Sequence, residues 1–324
     1  MPDASGRIEG RTGPLHPLLD LHGTAAGVAA GCLMSLGAPL SFAAARMAIL
    51  NDGFTPADLI VARYAVAGLV MLPVLLWMRA SDLGGIGWRR GLMLMATGGP
   101  AFTVLQTAGL AYAPLGHGGV ITPAAVAILS TALAAVFLRE RPGVVHLLGA
   151  CLMLCGILLV GSDALFGSGG PHTWFGDLLF LGAATAWASF SVLVRRWRVD
   201  ALRAITIVSV LSAVATVPGY IAFGGGAHIA TLPMHLVIWQ GLLQGGLHGV
   251  LATLGFTHAV RVLGVSRAVF FAAVVPAISV LIGIPALHEI PSVAQWLGLG
   301  VVTLGLMIAI LLPPLLRPTR RKHG

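Results

Sequence analysis

Ten stretches of this chain are apolar for about 20 residues each, the length a helix needs to cross the hydrocarbon core of a bilayer. They run roughly over 24–45, 56–78, 89–110, 118–138, 144–162, 174–194, 204–223, 235–257, 266–287 and 293–314. A segment in lipid finds no water for its backbone N–H and C=O groups, so each run is expected to satisfy them internally as a helix. The first run exceeds the core of about 7–15 residues that a signal peptide carries, and is read as a retained span. Charged residues make up only 9% of the chain, against about 25% in an ordinary soluble protein. Hydrophobic residues make up 57%, and the mean hydropathy is +0.93. Too little polar surface remains to cover such a chain in water. The expected fold class is an all-α membrane protein of ten transmembrane helices.

The basic residues test that map. With the N-terminus inside, 17 of the 19 Lys and Arg residues fall in cytoplasmic segments, and only Arg46 and Arg63 fall toward the outside. One span more or fewer would destroy this asymmetry, so N- and C-termini are both expected to be cytoplasmic. A net charge of +8 scattered between apolar runs orients a chain in a bilayer and forms no nucleic-acid surface. Trp77, Trp88, Trp174, Trp197, Trp239 and Trp296 lie near predicted span ends, where an amphipathic ring prefers to sit, and Trp187 alone is deep. Residues 1–23 form a polar tail and 315–324 a basic one. Ile8-Glu9-Gly10-Arg11 matches a common protease-cleavage linker and is set aside from fold reasoning.

A shift of 149 residues superposes Ser130 on Ser279, Leu138 on Leu287, Glu140 on Glu289, Pro142 on Pro291, Gly149 on Gly298 and Gly156 on Gly305. Glu140 and Glu289 are the only glutamates outside the N-terminal tail, and each is followed by Xaa-Pro. Two repeats follow, at 24–162 and 174–314, with five spans each. Five is odd, so the second repeat starts on the opposite side from the first, and the halves are inverted. Inverted repeats recur in carriers that expose a midplane site alternately to each side.

The segments ITPAAVAILSTALAAVFLRERP with LLGACLMLCGILLVG, AVFFAAVVPAISVLIGIPALHEIP with WLGLGVVTLGLMIAIL, and GDLLFLGAATAWASFSVLVRRW resemble the EamA-type families of the drug/metabolite transporter superfamily. The resemblance covers about 24–312; the start of the first repeat departs from it, with no Trp in span 1 where Trp187 stands in span 6. It implies a ten-helix basket around a central cavity and alternating-access movement of amino acids, related metabolites or drugs, often outward. It implies no particular substrate.

Individual residues are weighed against the blander role each could play. Glu140 and Glu289 sit at helix ends, with Pro142 and Pro291 opening the next helix, where a carboxylate can meet that helix's positive end. A structural hinge and a direct duty toward substrate or protons are both open to them. His248 and Gln244 stand four residues apart on span 8, His248 about nine residues, or about 13 Å, from the inner end. Both should avoid lipid, through an interhelical hydrogen bond or by lining a cavity. Gly241, Gly245 and Gly249 read as a close-packing stripe of the same helix. Trp187 could gate a solute or simply pack. Pro39, Pro100 and Pro276 lie well inside spans 1, 3 and 9, where a freed carbonyl needs another partner or water. Thr103, Gln106 and Thr107 form a polar patch on span 3. Arg63 is an outer-mouth candidate, free to snorkel to the surface or to filter charge there, and the resembled family often begins its second helix this way. Cys151 and Cys155 are one turn apart, with no further ligand nearby to complete a metal site.

With no Asp or Glu deep in a span, His248 is the one midplane group expected to titrate near neutral pH. The interior also lacks the Lys/Arg cluster a sugar phosphate would require. The expected partner is therefore a neutral, zwitterionic or apolar small molecule, in a lipid bilayer, with no cofactor and no metal. A membrane enzyme would need a His-Glu-Xaa-Xaa-His motif or an activated nucleophile, and neither stands in the sequence. A non-transporting scaffold would account for the spans but not for the inverted duplication. Arg preferred to Lys, with abundant Ala and Gly, points to a bacterial gene and a multi-pass protein of the plasma membrane (the bacterial inner membrane). Oligomeric state does not follow from the sequence.

Overall fold

In the computed structural model the described residues are 21–78, 80–166 and 170–315. Arg7, Arg11, Arg79, Arg317, Arg320, Arg321 and Lys322, the Ile8–Arg11 stretch and nearly all of both tails lie outside them. The described residues form helices and connecting turns, with no strand. Each predicted apolar run carries helix. The first half has α1 (Leu21–Asn51), α2 (Pro56–Trp77), α3 (Trp88–Ala96), α4 (Phe102–Tyr112), α5 (Leu115–Phe137) and α6 (Val144–Phe166). The second has α7 (Thr173–Trp197), α8 (Ala201–Ala222), the short α9 (Gly225–Ile229), α10 (Met234–Gly241), α11 (Thr253–Leu263), α12 (Val265–Ala273), α13 (Val275–Leu287) and α14 (Val293–Leu315).

Local chemistry sets several of these ends. Thr55 and Asp58 close a reciprocal capping box on α2, with Pro56 supplying a first-turn residue that needs no N–H partner. Leu138 and Leu287 end their helices alike. The residues after them, Arg139 and His288, both turn left-handed at φ 54°. The N–H groups of Glu140 and Glu289 then reach back six residues, to Ala134 O (3.4 Å) and Gly283 O (3.2 Å). The two Glu-Xaa-Pro corners are thus the same backbone structure built twice.

Three predicted spans are not the continuous α-helices expected. α3 and α4 are joined by a π-helical stretch, Thr97–Ala101, and α10 and α11 by a longer one, Leu242–Ala252. The 266–287 run divides at Val274, just before Pro276. The cause is visible in the sequence of each break: Gly98-Gly99-Pro100 in one, Gly245, Gly246 and Gly249 in the other. Among the described residues seven helices are long and apolar enough to cross a membrane by length and composition, and Val293–Ala309 is a shorter apolar one.

Equivalent helices of the two halves pack on each other, and they do so antiparallel. On α6 and α14, Gly149 faces Gly305 and Gly156 faces Gly298; a Cβ on Gly156 would stand 2.8 Å from Gly298 O, and one on Gly305 2.8 Å from Gly149 O. Only a helix with no side chain there can approach so closely. α2 meets α8 with Gly68 against Ser209 and Ala213, and Thr206 against Met71. α5 meets α13 with Leu115 near Gly283 and Gly116 near Val280. Residue numbers rise along one helix as they fall along the other in all three pairs. A two-fold relation with its axis across the helices, hence an inverted one, has this signature.

A leucine at Gly156 or Gly298 is expected to force α6 and α14 apart, costing about 1–3 kcal/mol. Gly300, exposed and with nothing within 4 Å of its Cβ position, is the control. Thermal unfolding of the purified protein in detergent reads this out: Gly156→Leu melts lower and Gly300→Leu does not. Equal melting of both would remove the glycine contact as a stabilising feature.

Candidate functional site

The two π-helical breaks lie at matching levels. Residues 97–101 advanced by 149 become 246–250, inside the second break. π-Helical turns interrupt the regular ladder and occur mostly at functional sites. Interrupted helices at corresponding positions of two inverted halves mark the place where a carrier builds its site. The breaks are also places of close approach by a neighbouring helix. A Cβ on Gly245 would stand 2.9 Å from the Ala67 N–H nitrogen of α2, and one on Gly98 2.5 Å from the Phe190 ring of α7. Gly241, Gly245 and Gly249 all face α2.

Beside the second break lies a polar cluster. Arg63 of α2 is 8% exposed, and its guanidinium turns inward, with Nη1 3.2 Å from His248 Nδ1. An arginine N–H donates, so Nδ1 accepts and the neutral ring carries its proton on Nε2. Phe42 of α1 meets the His248 ring edge-on at 5.0 Å. The Tyr64 and Thr103 hydroxyls are 2.6 Å apart, tying α2 to α4 just past the first break. Among the described residues no carboxylate pairs with Arg63. The 149-residue shift carries Arg63 to Ser212 and His248 to Gly99, and those two also meet, with Gly99 packed against the Ser212 side chain. One cationic contact and one small neutral contact therefore occupy related positions.

The remaining candidates divide between structural partners and this cluster. Gln244 accepts from Ser41 Oγ (2.6 Å) and donates to Ser41 O (2.7 Å), while Gln240 donates to Ala44 O (2.9 Å), so both amides fasten this rod to α1. Trp187 packs between Phe102 (4.8 Å) and Phe190 (5.1 Å). Gln106 accepts from Thr122 (2.9 Å), with its Nε2 buried and unpaired. Pro39 and Pro276 are buried, and Pro100 is half-buried within the first break. Cys32, Cys151 and Cys155 are free and exposed, and no three potential ligands gather for a metal among the described residues.

Glu289 does not cap the helix that follows it. It pairs instead with Arg46 at the end of α1 and accepts from the Leu115 N–H at 2.7 Å, the first turn of α5. Arg46 also donates to Leu110 O at the end of α4. Four helix ends are thereby fastened at one rim, and the positive end being served belongs to α5, which folding brings alongside. At the other rim Glu140 pairs with Arg195 of α7. Arg46 advanced by 149 is Arg195, so the two ion pairs are related as the halves are. They differ in closure: the Arg46 and Glu289 side chains are 11% and 19% exposed, those of Arg195 and Glu140 52% and 49%. α5 shows the same polarity, burying nine residues between Leu115 and Ala125 and only Ala134 beyond.

Two polar clusters, each around a buried acid, escaped the sequence reading. His117 Nδ1 lies 2.8 Å from Asp177 Oδ1, and its Nε2 2.9 Å from Gln295 Nε2, joining α5, α7 and α14. Asp58 pairs with Tyr220 and His228 at the mouth of a cavity of about 560 Å³ between α2 and α8. The only signal was that Asp58 and Asp177 are acids in the first turns of otherwise apolar runs, near the ends where a solvated charge is ordinary.

The fold and these sites can be set beside known proteins. A solved crystal structure aligns with a TM-score of 0.53 at 21% identity, covering 92% of this chain and 99% of its own, a likeness of fold alone. No curated protein matches. The EamA-like transporter family matches residues 26–162 and again 174–311, one copy over each half. Both copies of the duplicated helical unit are thus accounted for, and the chain belongs to the EamA-like transporter family, within the drug/metabolite transporter superfamily.

Proposed function

We propose that this protein is a secondary transporter that carries a small neutral, zwitterionic or apolar solute outward across the bacterial plasma membrane by alternating access. It does so with ten spans, both termini in the cytoplasm, and one five-helix unit at 24–162 working against another at 174–314. The broken rods at 88–112 and 234–263 count as spans three and eight, their breaks lining the pathway. The observation that carries this reading is the pair of related rim contacts, one buried and four-membered, the other exposed and two-membered. Two copies of one latch in unequal states are what a carrier needs to be shut on one side while open on the other. With Arg46 and Glu289 at the outer rim, this conformation faces inward.

Flux in proteoliposomes loaded with a mixed amino-acid and metabolite pool is the direct test. Solute movement that depends on the protein supports the carrier; a silent panel favours a scaffold. The latch makes a separate prediction. Glu289→Gln removes one charge of a largely buried pair and strands Arg46, a loss of about 3–5 kcal/mol where burial is complete and less here. The outward-open population should rise at least about tenfold, since about 1.4 kcal/mol is a factor of ten. A cysteine at Thr107, one turn beneath Leu110, in a chain with its three native cysteines replaced, should label correspondingly faster with an impermeant maleimide added outside. Unchanged labelling would sink the latch.

A further inference from the structure

We infer that Arg63, with His248 beside it, is the binding site for a carboxylate group on the transported solute, so that the solute is a carboxylate-bearing molecule such as a zwitterionic amino acid. This rests on the carrier reading and narrows it.

Arg63 carries its charge at every accessible pH, and a guanidinium removed from water requires a counter-charge or dense hydrogen bonding. It has five N–H donors; one reaches the His248 ring nitrogen, and among the described residues no Asp or Glu pairs with it. The buried and half-buried acids are committed elsewhere: Asp58 to Thr55, Tyr220 and His228, Asp177 to His117, Glu289 to Arg46. A purely structural cation would be expected to have one of them as its partner. His248 spends Nδ1 on Arg63, which leaves its ring N–H as a donor, while Phe42 packs against the ring and fixes its plane. A planar fork beside a single N–H donor matches the two oxygens of a carboxylate. The site stands against the longer helix break, and Ser212 and Gly99 occupy the related positions, so one anionic group is held on one side only. Phosphate would need more positive charge than one arginine supplies.

The test uses the full chain in detergent and in proteoliposomes, with a panel of common amino acids, each matched by its amide, its methyl ester and the amine lacking the carboxylate. Ligand-induced thermal shift reads binding and counterflow reads transport. The parent should bind and move the free acids in preference to their matched derivatives. Arg63→Gln should lose that preference, with free-acid binding down roughly 30-fold or more. Arg63→Lys keeps the charge without the fork and should fall between, and His248→Gln should weaken binding while leaving the preference. The parent's own selectivity needs no variant and stands if Arg63→Gln fails to fold. Equal handling of acids and derivatives by the parent, or an unchanged preference in folded Arg63→Gln, overturns the inference and leaves the carrier intact. Carboxylate-selective binding without flux sinks the carrier alone, and neither binding nor flux sinks both.

Discussion

The structure depends on one contact: a helix packed antiparallel against its own copy. Two glycines seven residues apart on α6 meet the matching two on α14, and each carbonyl lies where a side chain would otherwise stand. Lipid offers no hydrophobic drive for helices to associate, so close backbone approach and van der Waals packing must hold them. Once that pair is fixed, the remaining relations follow. α2 must meet α8 and α5 must meet α13 in the same opposed sense, which they do. A duplicated unit that docks this way makes two equivalent rims, one at each face.

Equivalence of sequence does not make the rims equivalent in state. Arg46 with Glu289 and Arg195 with Glu140 are the same two residue types at the same two positions, yet one pair gathers a carbonyl and an N–H from α4 and α5 and the other does not. A single rigid arrangement that satisfied both would hold the pathway shut at both ends. The shared turn geometry at Arg139 and His288 shows that the corners themselves are not what differs. What differs is how far neighbouring helix ends have come in to meet them.

The broad fold was legible because bilayer thickness and the Glu-Xaa-Pro repeat each constrain it independently. The same 149-residue shift also places Arg46 on Arg195, so both rim pairs could have been read from the sequence by asking which basic residues share the glutamates' symmetry. The helix breaks were harder. Glycine pairs are common in membrane helices as packing surfaces, and nothing in Gly245-Gly246 alone separates close contact from a change of hydrogen-bond register. Arg63 and His248 were each singled out, but their meeting joins residues 185 apart, and the related pair, Ser212 and Gly99, carries neither charge nor ring to flag it in the sequence. Asp58 and Asp177 looked like ordinary end residues because distance from a span end measures depth along the membrane, while their burial comes from neighbouring helices.

A carrier built from inverted copies faces opposite demands at its rims and at its centre. The rims gain from likeness, because each closed state should reuse the contacts of the other at similar cost. The centre gains from difference. Two arginines related by the pseudo-axis would face each other across the pathway, and their repulsion in a low-dielectric interior would have to be met by two anionic groups at once. Ser212 and Gly99 in place of a second Arg–His pair remove that conflict and leave room where the first pair has bulk. On the reading proposed above, symmetry supplies the motion, and the loss of symmetry at four positions gives a single solute one way to sit.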